Sequence, residues 1–446
     1  MASSRKSPKN STLLARATAA VKRHVQRGDH LVAGLSGGID SVVLLDLLCR
    51  ASRGSGFTLS AVHVNHQINP SANAWAKFCR VLCRDHAIPL KVKKVEVKKG
   101  DSLEAAARAA RYAVYAGVKC AAIALAHNQD DQVETLLLQL LRGSGVKGAS
   151  AMPEFRIEKP VLLRPLLDVP RSEIAAYARA RKLEWIEDDS NADTAFDRNF
   201  LRHRLLPVIA ERYPAYRQTL SRASRHFAEA AELLDACAVV DAGGTEDTLD
   251  LARLDGLSAA RVKNALRHFL SQHGVLMPNA RRIDEFARQV MRADATANLR
   301  LKAGGHDLRS YAGRLHIVPA SRKAVPSLEC VPWRGEQRLL LAPFDGMLVM
   351  TPKRGKGISL AKIAGKKLMV RERQGGERLR LDASRPSRTL KNLWQEACTP
   401  QWLRDGSPLL FAGNDLVYVA GLGVDAAFRA GAGEAGVEPA WHPNPR

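Results

Sequence analysis

Leu31-Val-Ala-Gly-Leu-Ser36-Gly37-Gly38-Ile39-Asp40-Ser41-Val-Val-Leu-Leu-Asp-Leu-Leu-Cys-Arg50 runs from a short apolar stretch, through two adjacent glycines, into apolar residues at three-to-four spacing. That order reads as strand, tight turn and helix. The glycines let the backbone turn with its N–H groups converging, Ser36 and Ser41 add hydroxyl donors, and the helix contributes the positive end of its dipole. Phosphate binding is the natural use of such a loop. A carboxylate beside bound phosphates is repelled unless a cation intervenes, so Asp40 is expected to associate with Mg²⁺. Taken alone, the hexapeptide also fits a plain strand-to-helix turn that Asp40 caps.

Outward from this stretch the same alternation continues. Leu31 to Leu35, Leu59 to Val64, Lys91 to Val97 and Cys120 to Ala126 read as strands. Ser41 to Arg50, Ala74 to His86, Ser102 to Lys119 and Asp130 to Arg142 read as helices, with Asp101, Ser102 and Glu104 suiting a helix start. Strands alternating with helices predict an α/β, doubly wound parallel sheet. From about residue 206 the pattern becomes Ala- and Arg-rich with helical periodicity and no clear strands. Beyond about 325, alternating apolar runs and many glycines suggest a small α+β domain. The expected division is 12–215, 216–322 and 325–435.

The chain has 446 residues, room for about three domains. Lys and Arg total 68 against 45 Asp and Glu, a formal charge of +23, and 46% hydrophobic content excludes a disordered basic tail. A folded, strongly basic protein points first to nucleic acid and second to an anionic membrane surface. Thirteen Lys/Arg stand against three Asp/Glu between Thr351 and Lys391, so the basic surface is concentrated there. Seven cysteines, at 49, 79, 83, 120, 237, 330 and 398, follow no disulfide spacing and include no CxxC. The opening MASSRKSPKN leads into no apolar segment, and no stretch approaches the roughly 18 apolar residues of a membrane span. These features read as a soluble cytoplasmic protein.

The hexapeptide resembles the pyrophosphate-binding loop of the PP-loop ATP pyrophosphatase superfamily, whose members split ATP into AMP and pyrophosphate while adenylating a carbonyl. A Walker-type loop is absent. Its nearest match, Gly143-Ser-Gly-Val-Lys-Gly148, lacks the terminal Lys-Ser/Thr and follows a predicted helix. Three further segments narrow the resemblance: Ala61-Val-His-Val-Asn-His66, Glu104-Ala-Ala-Ala-Arg108-Ala-Ala-Arg111-Tyr112, and Ala126-His-Asn-Gln-Asp-Asp-Gln-Val-Glu-Thr135. With them the chain resembles the tRNA(Ile)-lysidine synthetase family. The likeness continues through Arg164-Pro-Leu-Leu167, Trp185 with Asp188-Asp-Ser-Asn191, Arg198-Asn-Phe-Leu-Arg202, Val370-Arg-Glu-Arg373, Gly376-Glu377, Thr389-Leu-Lys-Asn-Leu393 and Pro408-Leu409. It spans about Leu14 to Gly423.

The resemblance implies a ligase that joins L-lysine to C2 of the wobble cytidine of tRNA(Ile) with anticodon CAU, through an adenylated intermediate, using ATP and Mg²⁺. It implies that Ser36, Gly37, Gly38, Ile39, Asp40 and Ser41 hold ATP, with His63 at a strand end beside adenine or ribose. Asp40 would carry the metal. Asp131 and Glu134, three apart on one helix face, would hold the lysine, with Asp130 a helper. Either acid could instead cap the helix. Arg111, three from Arg108, would clamp phosphates or the activated base, or lie on a solvated basic face. Arg198, Arg202, Arg371, Arg373 and Lys391 are the expected tRNA contacts. For Arg198 and Arg202 the residues themselves support only the charge argument.

His63 and His66 lack a third ligand and make a weak metal site. His127 is a site candidate by position. Trp185 and Trp394 could stack on bases, though a core role suits each better. Rival readings are a PP-loop tRNA thiolase, which commonly uses cysteine pairs that this chain lacks, an amidotransferase-type synthetase, for which no glutaminase motif is evident, and a non-catalytic RNA-binding protein. The last leaves the hexapeptide and the clustered acids unexplained. The oligomeric state, a homodimer included, is open at this level.

Overall fold

The computed structural model describes residues 12–97, 103–157, 159–188, 193–243, 247–293, 298–319, 330–404 and 406–443. Asp101, Ser102 and residues 189–191, used in the sequence reading, lie outside them. The chain divides into two compact units, 1–234 and 235–446.

In the first unit, α1 (Leu13–Lys22) precedes β1 (His30–Gly34), α2 (Ile39–Ser55), β2 (Thr58–Asn65), α3 (Ala72–Asp85), β3 (Leu90–Lys94), α4 (Leu103–Ala116), β4 (Ala122–Ala124) and α5 (Gln129–Leu141). Then come α6 (Val146–Ala149), β5 (Phe155–Arg156), β6 (Leu162–Leu163) and α7 (Arg171–Ala180). The sheet order is β3-β2-β1-β4-β6-β5, parallel except for β5. All four predicted strands and all four predicted helices are present, with ends shifted by a few residues.

The alternation of side chains explains why helices cover both faces. Leu31 and Ala33 on β1, Leu59 and Ala61 on β2, and Ala122 and Ala124 on β4 enter one core with α1, α2 and α7. Val32, Val62 and Ile123, each next to one of these residues and so facing the other way, enter a second core with Tyr112 and Tyr115 of α4. Strands apolar at every position belong to a sheet buried on both sides. Each fully buried Leu or Ile contributes roughly 1.5–3 kcal/mol. The strand order reverses between β1 and β4, so the loops leaving their carboxyl ends flank the crevice where α/β sheets bind ligands.

Beyond α7, α8 (Asp197–Phe200) runs into a π turn, Leu201–Leu205, and then α9 (Leu206–Arg212). Leu206 N–H donates to Leu201 O, a five-residue step. That step lets Leu201 and Leu206 both be buried, at 2% and 4% exposure, where a regular helix would set them about 140° apart. Helix α10 (Tyr216–Ala242) follows, with Leu206 and Tyr216 packed on Val133 of α5.

In the second unit, α11 (Ala259–Gln272) and α12 (Ala280–Arg292) pack on an antiparallel sheet. Its strands are β7 (Thr248–Asp250), β8 (Arg300–Ala303), β9 (His306–Tyr311) and β10 (Arg314–Pro319), in the order β7-β10-β9-β8. The sequence reading saw the helices and missed these strands. The last part of the unit is β-rich, as expected. One sheet includes Leu368–Arg371, Leu409–Ala412 and Asp415–Val419; another pairs Gly346–Arg354 with Ala435–Pro443. All seven cysteines are free, and among the described residues no helix is long and apolar enough to cross a membrane.

Candidate active site

The loop after β1 is held by its own hydroxyls. Ser41 Oγ accepts from Gly37 N at 3.1 Å and Ser36 N at 3.2 Å, donates to Gly38 O at 2.9 Å, and lies 3.0 Å from Ser36 Oγ. Gly38 caps α2 without a side-chain bond, leaving the start of a 17-residue helix uncovered by any side-chain oxygen. Gly37 adopts φ +94°, and a Cβ there would meet Ile186 Cδ1 at 2.5 Å. Ile186 N in turn donates to Gly37 O at 2.9 Å. Only glycine suits both the backbone and the space. Ile39, half-buried, anchors the loop to the core.

Across the reversal point, Asn128 opens α5 with a capping box. Its side chain accepts from Asp131 N at 3.1 Å, and its own N–H donates to Asp131 Oδ2 at 3.0 Å. The Asn128 amide also donates to Asp40 Oδ1 at 3.2 Å, joining the two loops. Asp131 therefore does cap the helix, and its other oxygen, Oδ1, lies 3.5 Å from Arg202 Nη2. Burial pushes the Asp40 carboxyl above its ordinary range; Arg171, 3.9 Å away, opposes this and Asp131 reinforces it.

Glu134 is fully buried. Arg202, on the π turn, spans its carboxylate with Nε–Oε1 at 2.8 Å and Nη2–Oε2 at 3.0 Å. Arg198 Nε sits 3.2 Å from Oε2 without hydrogen-bond geometry, while its Nη2 donates to Thr135 Oγ1 at 3.0 Å. Burial raises the Glu134 pKa and Arg202 pulls it back. Asp130 faces elsewhere: Oδ2 accepts from Arg171 N at 2.9 Å, and Oδ1 pairs with Arg217 at 2.5 Å.

Histidines line the next positions. His63, at the end of β2, is buried and donates from Nδ1 to Leu35 O at 2.9 Å, which fixes its ring beside the loop. Burial holds its pKa below the usual range. His66 is pushed down to about 4, first by burial and then by Arg111, whose Nε lies 3.5 Å from His66 Nε2. Arg111 is exposed on α4, and Arg108, one turn away, stacks on Tyr112. His127 is held far below the usual range by burial and then by Arg164, which donates from Nε to Nδ1 at 3.3 Å. It is a neutral imidazole with its proton on Nε2.

The structure thus gathers Ser36 to Ser41, His63, Asp131, Glu134, Arg198 and Arg202 around the carboxyl ends of the strands, with Arg111 contacting His66. Arg164, Arg171, Arg217 and Asn128 are additional participants to which sequence reasoning gave no role. Arg164 belongs to a quoted motif; for Arg171 and Arg217 no local signal exists. Among the described residues no three His, Cys, Asp or Glu side chains form a metal cage. Mg²⁺ needs less, since it keeps waters and takes one or two carboxylates beside phosphate oxygens, and Asp40 with Asp131 nearby fits that demand.

Family models match residues 10–209 as a PP-loop domain, 249–316 as a TilS substrate binding domain and 368–441 as a TilS substrate C-terminal domain. A tRNA(Ile)-lysidine synthase of Nitrosomonas europaea is 43% identical over 432 residues, 95% of this chain and 94% of that protein. That of Azoarcus sp. is 42% identical over 421 residues, 93% and 92%. That of Coxiella burnetii is 37% identical over 404 residues, 89% and 89%. The chain belongs to the tRNA(Ile)-lysidine synthase family.

Within the lysidine synthase family frame, the PP-loop domain contains every first-unit residue just described up to Arg202. Of the remaining expected residues, Arg371 ends a strand with its guanidinium 3.7 Å from the centre of the Phe411 ring. Arg373 is exposed and lies 5.7 Å from the Trp394 ring, and Lys391 is exposed on the helix Leu390–Glu396. Trp394 is fully buried and Trp185 packs on the first core, so both have the core role.

Proposed function

We propose that the protein ligates L-lysine to C2 of the wobble cytidine of tRNA(Ile) with anticodon CAU, converting ATP to AMP and pyrophosphate. The observation that carries this reading is the meeting of a phosphate-binding loop and a buried carboxylate face at one sheet crevice, in a chain matched along 95% of its length by a lysidine synthase. The C2 carbonyl oxygen attacks the α-phosphorus of ATP and pyrophosphate leaves. The lysine side-chain amine then attacks C2, the C–O bond breaks, and AMP departs with the proton lost from nitrogen.

Each residue group has a task in these steps. The loop Ser36 to Ser41, its own N–H groups tied mostly to its hydroxyls, presents the N–H groups of Ile39 and Asp40 at the start of α2 to phosphate oxygens. Asp40 would hold Mg²⁺, whose charge would offset that of the phosphates. Arg111, exposed beside neutral His66, is free to follow the adenylate. Asp131 presents Oδ1 to the lysine ammonium, while Glu134 acts with it and keeps Arg202 and Arg198 in place. His63 borders adenine or ribose. Arg198 and Arg202, held against Glu134 and Thr135, line the crevice that receives the target cytidine, and Arg371, Arg373 and Lys391 bind the tRNA backbone. A cytoplasmic location completes the reading.

Purified protein incubated with bacterial tRNA, ATP, Mg²⁺ and radiolabelled lysine should place alkali-stable, ATP-dependent label in tRNA. Alkali strips aminoacyl esters, so surviving label reports a bond to the base. No label with intact isoleucine tRNA would overturn the reading and direct the search to another nucleophile, sulfur first.

A further inference from the structure

The helix that delivers Arg198 to Glu134 also presents two aromatic rings outward. Phe196 is 37% exposed and Phe200 49% exposed. Phe200 N donates to Phe196 O at 2.9 Å, so the two residues stand one turn apart on the same side of the backbone. Arg198, between them in sequence, turns the other way onto Thr135 and Glu134. One short helix therefore has a guanidinium face in the catalytic crevice and an aromatic face outside it.

Two exposed phenylalanines side by side gain nothing in water. The chain that follows them is cationic: from Arg198 to Arg225 seven arginines stand against the single acid Glu211, while Asp193 and Asp197 flank Phe196. Arg204 and Arg212 are exposed, and Arg142 at the end of α5, 60% exposed, pairs directly with the exposed Asp197 at 3.1 Å. An exposed ion pair of that kind is worth little and opens readily. Aromatic rings set among arginines suit single-stranded nucleic acid, whose bases need a stacking partner and whose phosphates need cations.

We propose that Phe196 and Phe200 form a stacking platform for the unpaired anticodon-loop bases that flank the target cytidine. This rests on the proposed function and extends it. A base modified at C2 must leave its own stack to reach the crevice, and its neighbours lose a stacking partner when it does. The platform replaces that partner at the mouth of the site. It reads the π-face of the bases, so it holds the loop open and leaves base identity to other contacts.

The test uses the full chain, a fluorescent anticodon stem-loop RNA carrying CAU, and labelled lysine with intact tRNA. Phe196→Ala and Phe200→Ala should each weaken stem-loop binding about fivefold to 150-fold, because stacking is worth about 1–3 kcal/mol per base. Phe200→Trp should retain binding, whereas Phe200→Leu, apolar without a π-face, should behave as Phe200→Ala. ATP affinity, the KM for lysine and the salt slope should stay at wild-type values. Equal binding by Phe200→Leu and wild type overturns the platform, as does unaltered binding by both alanine variants. Joint loss of ATP and lysine binding would mean that the rings only support Arg198 and Arg202, and a change in self-association would make the face a protein interface. Wild-type protein that binds the stem-loop but never incorporates lysine would defeat the function reading instead.

Discussion

Arg202 grips both oxygens of Glu134, a carboxylate with no exposure to solvent, from a π turn 68 residues further along the chain. The lysine ammonium therefore approaches a carboxylate already occupied by a guanidinium. Arg202→Ala leaves Glu134 with Arg198 alone. Removing one partner of a buried pair costs about 3–5 kcal/mol, and the loss should appear in urea unfolding. Arg202→Lys should recover only part of it, because an ammonium cannot span two oxygens in the same way. In the surviving folded protein the KM for lysine should rise while ATP affinity holds.

Gly37→Ala should lower ATP affinity at least tenfold. The new Cβ meets Ile186 Cδ1, and φ +94° is strained for any side chain. Gly37→Ala with Ile186→Ala removes the clash and leaves the strain, so isothermal titration with ATP should show partial recovery. Full recovery would mean that crowding alone excludes a side chain at position 37.

Asp40→Ala should abolish ATP-dependent lysine incorporation while tRNA affinity stays within a few fold, since one charge hardly alters a +23 field. Turnover retained at ordinary Mg²⁺ concentration would take Asp40 out of the metal role.

Replacing Arg371, Arg373 and Lys391 together by glutamine should weaken tRNA binding and flatten its dependence on salt, with ATP binding unchanged. Each lost phosphate contact lowers the slope of log K against log salt by somewhat under one unit. A salt slope equal to wild type would remove these three residues from the backbone contacts.

His66 titrates at about 4 in the fold and near 6.5 when exposed, so the unfolded chain binds more protons between those values. Stability from this group is complete above 6.5 and falls as pH drops toward 4. His63 and His127 act in the same direction. Asp40 and Glu134, with raised pKa values, act oppositely just above the ordinary carboxylate range. The difference between wild type and His66→Asn in urea unfolding at pH 7.5 and 5 isolates the histidine: the variant should lose less stability on acidification. An NMR titration of His66 should show a neutral ring at pH 5.5.

The sheet and its crevice were legible because apolar runs of strand length alternate with helix-period stretches, and because two glycines mark the reversal point. Asp131 and Glu134 were legible as a pair from their spacing. Their partners were not. Arg171 and Arg217 reach Asp40 and Asp130 from helices 41 to 131 residues away, and no local pattern announces such a meeting. Arg198 and Arg202, one turn apart in a basic stretch, suggest a solvated phosphate track, yet both point at Glu134. The strands β7 to β10 went unread because segments such as Arg300–Ala303, though they alternate exposed polar with buried apolar residues, are only four residues long and stand beside strongly helical stretches.

The π turn fixes a rotational phase. Upstream of it Arg198 faces the acids; downstream Leu206 faces Val133 and Tyr216. Deleting one residue from 201–205 would keep the composition and restore ordinary helix, but it would turn everything beyond by about 100°. Either Arg202 would leave Glu134 or Leu206 would leave its apolar neighbours. The extra backbone residue works as a spacer that lets one continuous rod satisfy a charged cleft at one end and a greasy seam at the other.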